Sequence, residues 1–118
     1  LSARKNVISP YKLLDSQSLA SSFQSDPVDI GWQDNVGVSI VTSGITDNTG
    51  QFSVEVTIDG VNWEPIVFSP VIPALSDSDT QIFCNANQLP FKKFRINFQA
   101  AGGTPDGTCD VWIMTKEV

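Results

Sequence analysis

The sequence predicts an all-β protein, an antiparallel β-sandwich of jelly-roll or Ig-like type with seven to eight strands and an N-terminal extended arm. Three observations carry that expectation: apolar side chains recur with a period of two, turn-forming residues interrupt them at short intervals, and no segment sustains a 3.6-residue stripe. At 118 residues the chain is one domain long, and 41% hydrophobic against 17% charged residues is enough apolar material for a core.

The first fourteen residues obey neither period. Leu1 to Lys12 is polar and basic, and Pro10 and Tyr11 then lead into Leu13-Leu14, so residues 1–14 read as an arm and residues 15–118 as the sandwich. Short strand candidates follow at 18–23 and 27–32. Val36, Val38 and Ile40 make one inward face; Phe52, Val54, Val56 and Ile58 make another, with Ser53, Glu55 and Thr57 turned to water. Asp47-Asn48-Thr49-Gly50 separates those two runs and Asp59-Gly60 ends the second. Asn and Gly supply the positive φ of hairpin turns, so two successive hairpins are expected.

Beyond them, strands are expected at 63–68 and 80–84, separated by a longer connection holding Pro70, Pro73 and the acidic stretch Ser76-Asp77-Ser78-Asp79. Phe94, Ile96 and Phe98 alternate with Lys93, Arg95 and Asn97. A turn-rich stretch from Ala100 to Thr108 then reaches the last strand, 109–115. Strands with no helices between them favour antiparallel pairing, since parallel strands need crossovers.

The last strand is apolar on both faces. Cys109, Val111 and Ile113 can face the core while Trp112 and Met114 face outward as an interface, or the register is reversed and both are buried; periodicity leaves the two equal. In the arm, Val7, Ile8, Tyr11, Leu13 and Leu14 fall close together, as apolar anchors that dock on a neighbouring subunit would; the other reading of the segment, equally weighted, is a frayed terminus.

Charge narrows the partners. The net charge is −6, and it is uneven: Arg4, Lys5 and Lys12 give residues 1–12 a charge of +3, while four cations against thirteen acids leave the other 106 residues at −9. An acidic body argues against direct nucleic-acid binding, which demands clustered cations. No apolar run approaches the roughly 20 residues that cross a bilayer, so no membrane partner is expected.

The same inventory argues against catalysis and cofactors. The chain has no His, the commonest general base and transition-metal ligand, and its five lysines, Lys5, Lys12, Lys92, Lys93 and Lys116, all lie in polar or basic stretches. Cys84 and Cys109 are expected to be reduced, buried thiols. Asp77/Asp79 and Asp26/Asp29 are close pairs, but the alternating acid pattern of a calcium loop is absent, so no metal site is expected. Asp59-Gly60-Val61-Asn62-Trp63 is the most distinctive short motif. It reads first as a tight turn followed by an inward indole, and second as a sugar platform with Trp63 stacking and Asp59 or Asn62 binding hydroxyls.

From Ser21 onward a set of strings occurs in a particular order: Ser21-Ser22-Phe23, Pro27-Val28-Asp29-Ile30, Asp34-Asn35-Val36-Gly37-Val38, Gly50-Gln51-Phe52-Ser53-Val54, Asp59-Gly60-Val61-Asn62-Trp63, Gln88-Leu89-Pro90-Phe91 and Phe94-Arg95-Ile96. That order resembles small β-sandwich virion structural proteins of tailed bacteriophages. The chain departs from the family pattern at Gly103-Thr104-Pro105-Asp106-Gly107-Thr108-Cys109, where a Gly-Thr-Gly-Thr-like turn is usual. The resemblance implies a non-enzymatic protein located in the virion, which decorates or cements a capsid or joins a tail. Its partners would be the major capsid or tail protein and further copies of itself. The alternative class is a carbohydrate-binding β-sandwich module that recognises a receptor or surface glycan.

Overall fold

The computed structural model describes residues 9–30, 35–87 and 91–116, and among them are nine strands and no helix. Four strands form sheet A in the order β1 (Ser9–Ser18), β9 (Thr108–Lys116), β4 (Asn35–Ser43) and β7 (Gln81–Ala86). Sheet B has the order β2 (Phe23–Gln24), β8 (Lys93–Gln99), β5 (Gln51–Thr57) and β6 (Glu64–Ile66), with β3 (Val28–Asp29) also paired to β8. All of these strand pairs are antiparallel, and the protein is a β-sandwich.

The two-residue period builds the core directly. Val36, Val38 and Ile40 of β4 and Val111 and Ile113 of β9 point inward from sheet A, and they meet Phe52, Val54, Phe94, Ile96 and Phe98 from sheet B. Phe52 and Phe98 are register partners with ring centroids 4.7 Å apart. Burying each such side chain contributes about 1.5–3 kcal/mol, which makes this one layer the main source of stability.

The first expected hairpin does not form. β4 lies in sheet A and β5 in sheet B, so residues 44–50 cross between the sheets at one end of the sandwich. Its turn residues serve that crossing. Asn48 is fully buried; its Nδ2 donates to the carbonyls of Leu19 (3.0 Å) and Asp106 (2.9 Å), and its Oδ1 accepts from the Gly50 amide at 2.9 Å. Gly50 is required by close approach, because a Cβ there would stand 2.6 Å from the Gln99 carbonyl oxygen. The second hairpin forms as expected, with Val54 opposite Ile66 across β5 and β6.

The arm also needs correction. Residues 1–8 lie outside the described residues, but from Ser9 the segment is strand β1, paired along β9 from Ser9↔Thr115 to Ser18↔Thr108. The 1–14 boundary therefore cuts through a strand. Sequence periodicity missed β1 because its register shifts between Lys12 and Leu14 and again between Leu14 and Gln17, which puts neighbouring Leu13 and Leu14 against the same core.

Candidate functional site

Strand β9 sits between β1 and β4, and its alternation is fixed by what lies beneath it. Cys109, Val111 and Ile113 are buried, so Trp112 and Met114 project from the outer face of sheet A, each 45% exposed. The structure thus selects the outward register. Across β4, Ser39 pairs with both Trp112 and Phe83, and Gly37 pairs with both Met114 and Asn85, so Phe83 of β7 shares the face and is 59% exposed. Gly37 leaves the space between them low: a Cβ there would stand 3.4 Å from the Phe83 ring. The result is a shallow groove of about 360 Å³, floored by Val36 and Gly37, walled by Phe83 and Met114, and rimmed by Asn35, Asn85, Asn87 and Thr115.

The β1 side of this face is charged and locked. Lys12 Nζ lies 3.0 Å from Asp15 and 3.5 Å from Asp110, and it stands 5.6 Å from the centre of the Trp112 ring. The Asp110 carboxylate also accepts the Ser16 amide at 2.8 Å, where the bulged strand takes a positive φ of 52°. These contacts hold the lysine charged and raise its pKa, chiefly through the hydrogen bond to Asp15.

The expected anchors divide. Val7 and Ile8 lie outside the described residues. Leu13 and Leu14 pack on this chain's own core and are not free to dock on a neighbour. Tyr11, opposite Ile113, is 41% exposed, with partial burial raising its pKa. Phe83 and Gly37 were missed by the sequence reading; Gln81-Ile82-Phe83-Cys84 carries apolar residues on both faces, the same ambiguity that β9 presents.

The candidate sugar platform is built differently from expectation. Asp59 is consumed by its own turn: it accepts from the Asn62 and Val61 amides (2.8 Å each), the Asn62 side chain (2.6 Å) and the Thr57 hydroxyl (3.1 Å). Those bonds, the Asn62 amide first, hold its carboxyl well below the usual range. Trp63 is half-buried, with the Arg95 guanidinium 4.2 Å from its ring centre, and Arg95 is in turn held by Glu55 at 2.7 Å. One indole face is therefore covered by a cation, and because Arg95 projects from the outer side of sheet B the indole lies there and not inward as expected.

The thiols and acids are structural. Cys84 and Cys109 are free and buried, and burial pushes them up to about 11 and about 12. Asp77 accepts the Asn48 amide (2.9 Å), Asp79 the Ile45 amide (2.8 Å), and Asp106 the Thr46 and Asp47 amides (2.9 and 3.0 Å). No group of three or more metal-ligating side chains is assembled among the described residues.

Fold and site together define a compact β-sandwich with one apolar outer face. The sequence matches no protein-family model, and no curated protein matches it. Solved structures do share the fold. The SPBc2 prophage-derived protein YomS is similar with a TM-score of 0.56 at 10% identity, over 92% of this chain and 93% of that one. A chain in the structure of infectious bursal disease virus, Gx strain, is similar at 0.58 and 10% identity, over 96% of this chain and 32% of the viral one. The CBM22-1 xylan-binding domain of Paenibacillus barcinonensis Xyn10C is similar at 0.50 and 9% identity, over 82% and 73%. The neighbours thus include phage and viral proteins as well as a carbohydrate-binding module, and the likeness is one of fold.

Proposed function

We propose that this chain is a non-enzymatic virion structural protein of a bacteriophage, which decorates or cements the capsid or joins the tail through protein–protein contacts. The observation that carries the reading is the outer face of sheet A, where Phe83, Trp112 and Met114 stand exposed together on a rigid two-layer block. Apolar side chains gathered on a sheet's solvent side mark a contact surface. The fold likeness to a prophage-derived protein and to a viral chain supports the same reading. The non-enzymatic part of the reading is supported by the lack of His in the sequence and by burial that holds both thiols protonated.

The test is co-sedimentation. Tagged protein made during infection should travel with assembled particles through a density gradient, and Trp112→Ser with Met114→Ser should leave it at the top. Wild-type protein that stays at the top overturns the proposal. A second reading, a carbohydrate-binding module, is favoured by the likeness to the xylan-binding domain. It predicts a saturable shift of tryptophan fluorescence with a soluble glycan that disappears in Trp63→Ala.

A further inference from the structure

We infer that the outer face of sheet A is a self-association surface: two copies of this chain pack there face to face across a two-fold axis lying between the sheets. The inference rests on the docking role proposed above for that face and names its occupant.

The two outer faces of the sandwich provide an internal comparison. Sheet B turns Ser53, Glu55, Lys93, Arg95 and Asn97 outward, a polar alternation in which the one aromatic, Trp63 at the β6 edge, is capped by Arg95. Sheet A turns Phe83, Trp112, Met114 and Val41 outward around Gly37 and Ser39, a composition that belongs inside a sandwich. The same chain supplies both faces, so the difference is a property of the surface and not of overall composition.

Area and charge point to a second copy. The four strands of sheet A have 10, 9, 9 and 6 residues, which at about 4.8 Å between strands and about 3.3 Å per residue gives a footprint of about 500 Å². That is a small but sufficient area beside the roughly 800 Å² per partner of a standard interface, as expected of a dimer in exchange with its monomer. A chain with net charge −6 repels its own kind over most of its surface. Among the described side chains of this face the charges are Lys12, Asp15 and Asp110, gathered at the β1 border, with Lys12 bonded to the two acids at 3.0 and 3.5 Å, away from Phe83 and Gly37. A two-fold contact needs a surface that matches itself. The row Phe83–Ser39–Trp112, with an aromatic at each end and a small residue between, lets the aromatics of one copy settle over the small centre of the other. A differently charged partner would have little to recognise there.

Sedimentation velocity of the purified protein at micromolar concentration should give twice the chain mass. Phe83→Lys and Trp112→Lys should each convert it to monomer, with the circular dichroism spectrum preserved because both side chains are exposed, while the urea midpoint falls and loses its dependence on protein concentration as the stabilisation by association is removed. Ser53→Lys on sheet B should leave the dimer intact. A wild-type monomer, or a dimer that survives both sheet A substitutions, overturns the inference. Particle co-sedimentation, run in parallel, separates it from the functional reading: a monomer that still joins particles removes the dimer alone, and means the face meets another virion protein. A dimer that never joins particles removes the virion reading alone.

Discussion

Asn48 shows how one buried amide can organise an end of the sandwich. Its side chain satisfies two carbonyls and one amide drawn from three chain segments, and the bonds to Leu19 and Gly50 are fully buried. Asn48→Ala should cost about 3 kcal/mol, since each stranded polar group costs about 1–3 kcal/mol, and a urea melt measures the loss. A change below about 1 kcal/mol would mean that the loop rearranges around the vacancy. Asp59 makes a different prediction, read by pH. Its carboxyl is held below its unfolded value of 3.8, so its stabilising contribution is present in full above that pH. That contribution is lost as the pH falls through the lower folded value. The stability difference between wild type and Asp59→Asn should be flat near neutrality and shrink only below pH 3.8, as paired denaturation curves would show.

At the scale of the element, β1 is the informative case. Its ten residues form the edge of sheet A, and an edge of that length is a template for unwanted pairing. Two register shifts, Pro10 and the Ser16 turn bend it away from that use. The strand nevertheless stabilises β9, through which Leu13 and Leu14 reach the core. A truncation that stops before Ser9 keeps all of β1, whereas removal of residues 1–14 strips six of its ten residues. The longer truncation should be less stable than the shorter by an amount on the order of 3 kcal/mol, by urea midpoint. The same strand marks how far sequence reading reaches. β4 and β8 were legible because their alternation is unbroken. β5 was legible only as far as Val54: the alternation breaks at Val56, so Thr57, expected in water, is buried and Ile58, expected in the core, is exposed. β1 was not legible, since its bulges place consecutive leucines on one side. β9 and β7 were legible as strands but not as surfaces: apolar residues on both faces leave the outward set to be chosen by which strands flank them. The 44–50 segment carried correct turn chemistry, but local chemistry does not say whether the next strand returns to the same sheet.

For the whole molecule, the strand order matters more than the order of the chain. Ser9 lies opposite Thr115, so the first and last described strands are hydrogen-bonded neighbours that begin and finish at the same end of sheet A. The direction in which the polypeptide is threaded is then dispensable. A circular permutant that bridges the first and last strands with a short flexible linker, and opens the chain between Gly60 and Val61 in the exposed β5–β6 turn, should keep hydrogen-exchange protection in β4, β5 and β8. Loss of that protection would show that folding needs the native threading. With both strand ends leaving through one door, the sandwich is also a cassette, able to be spliced into a surface loop of a larger host protein without stretching either piece.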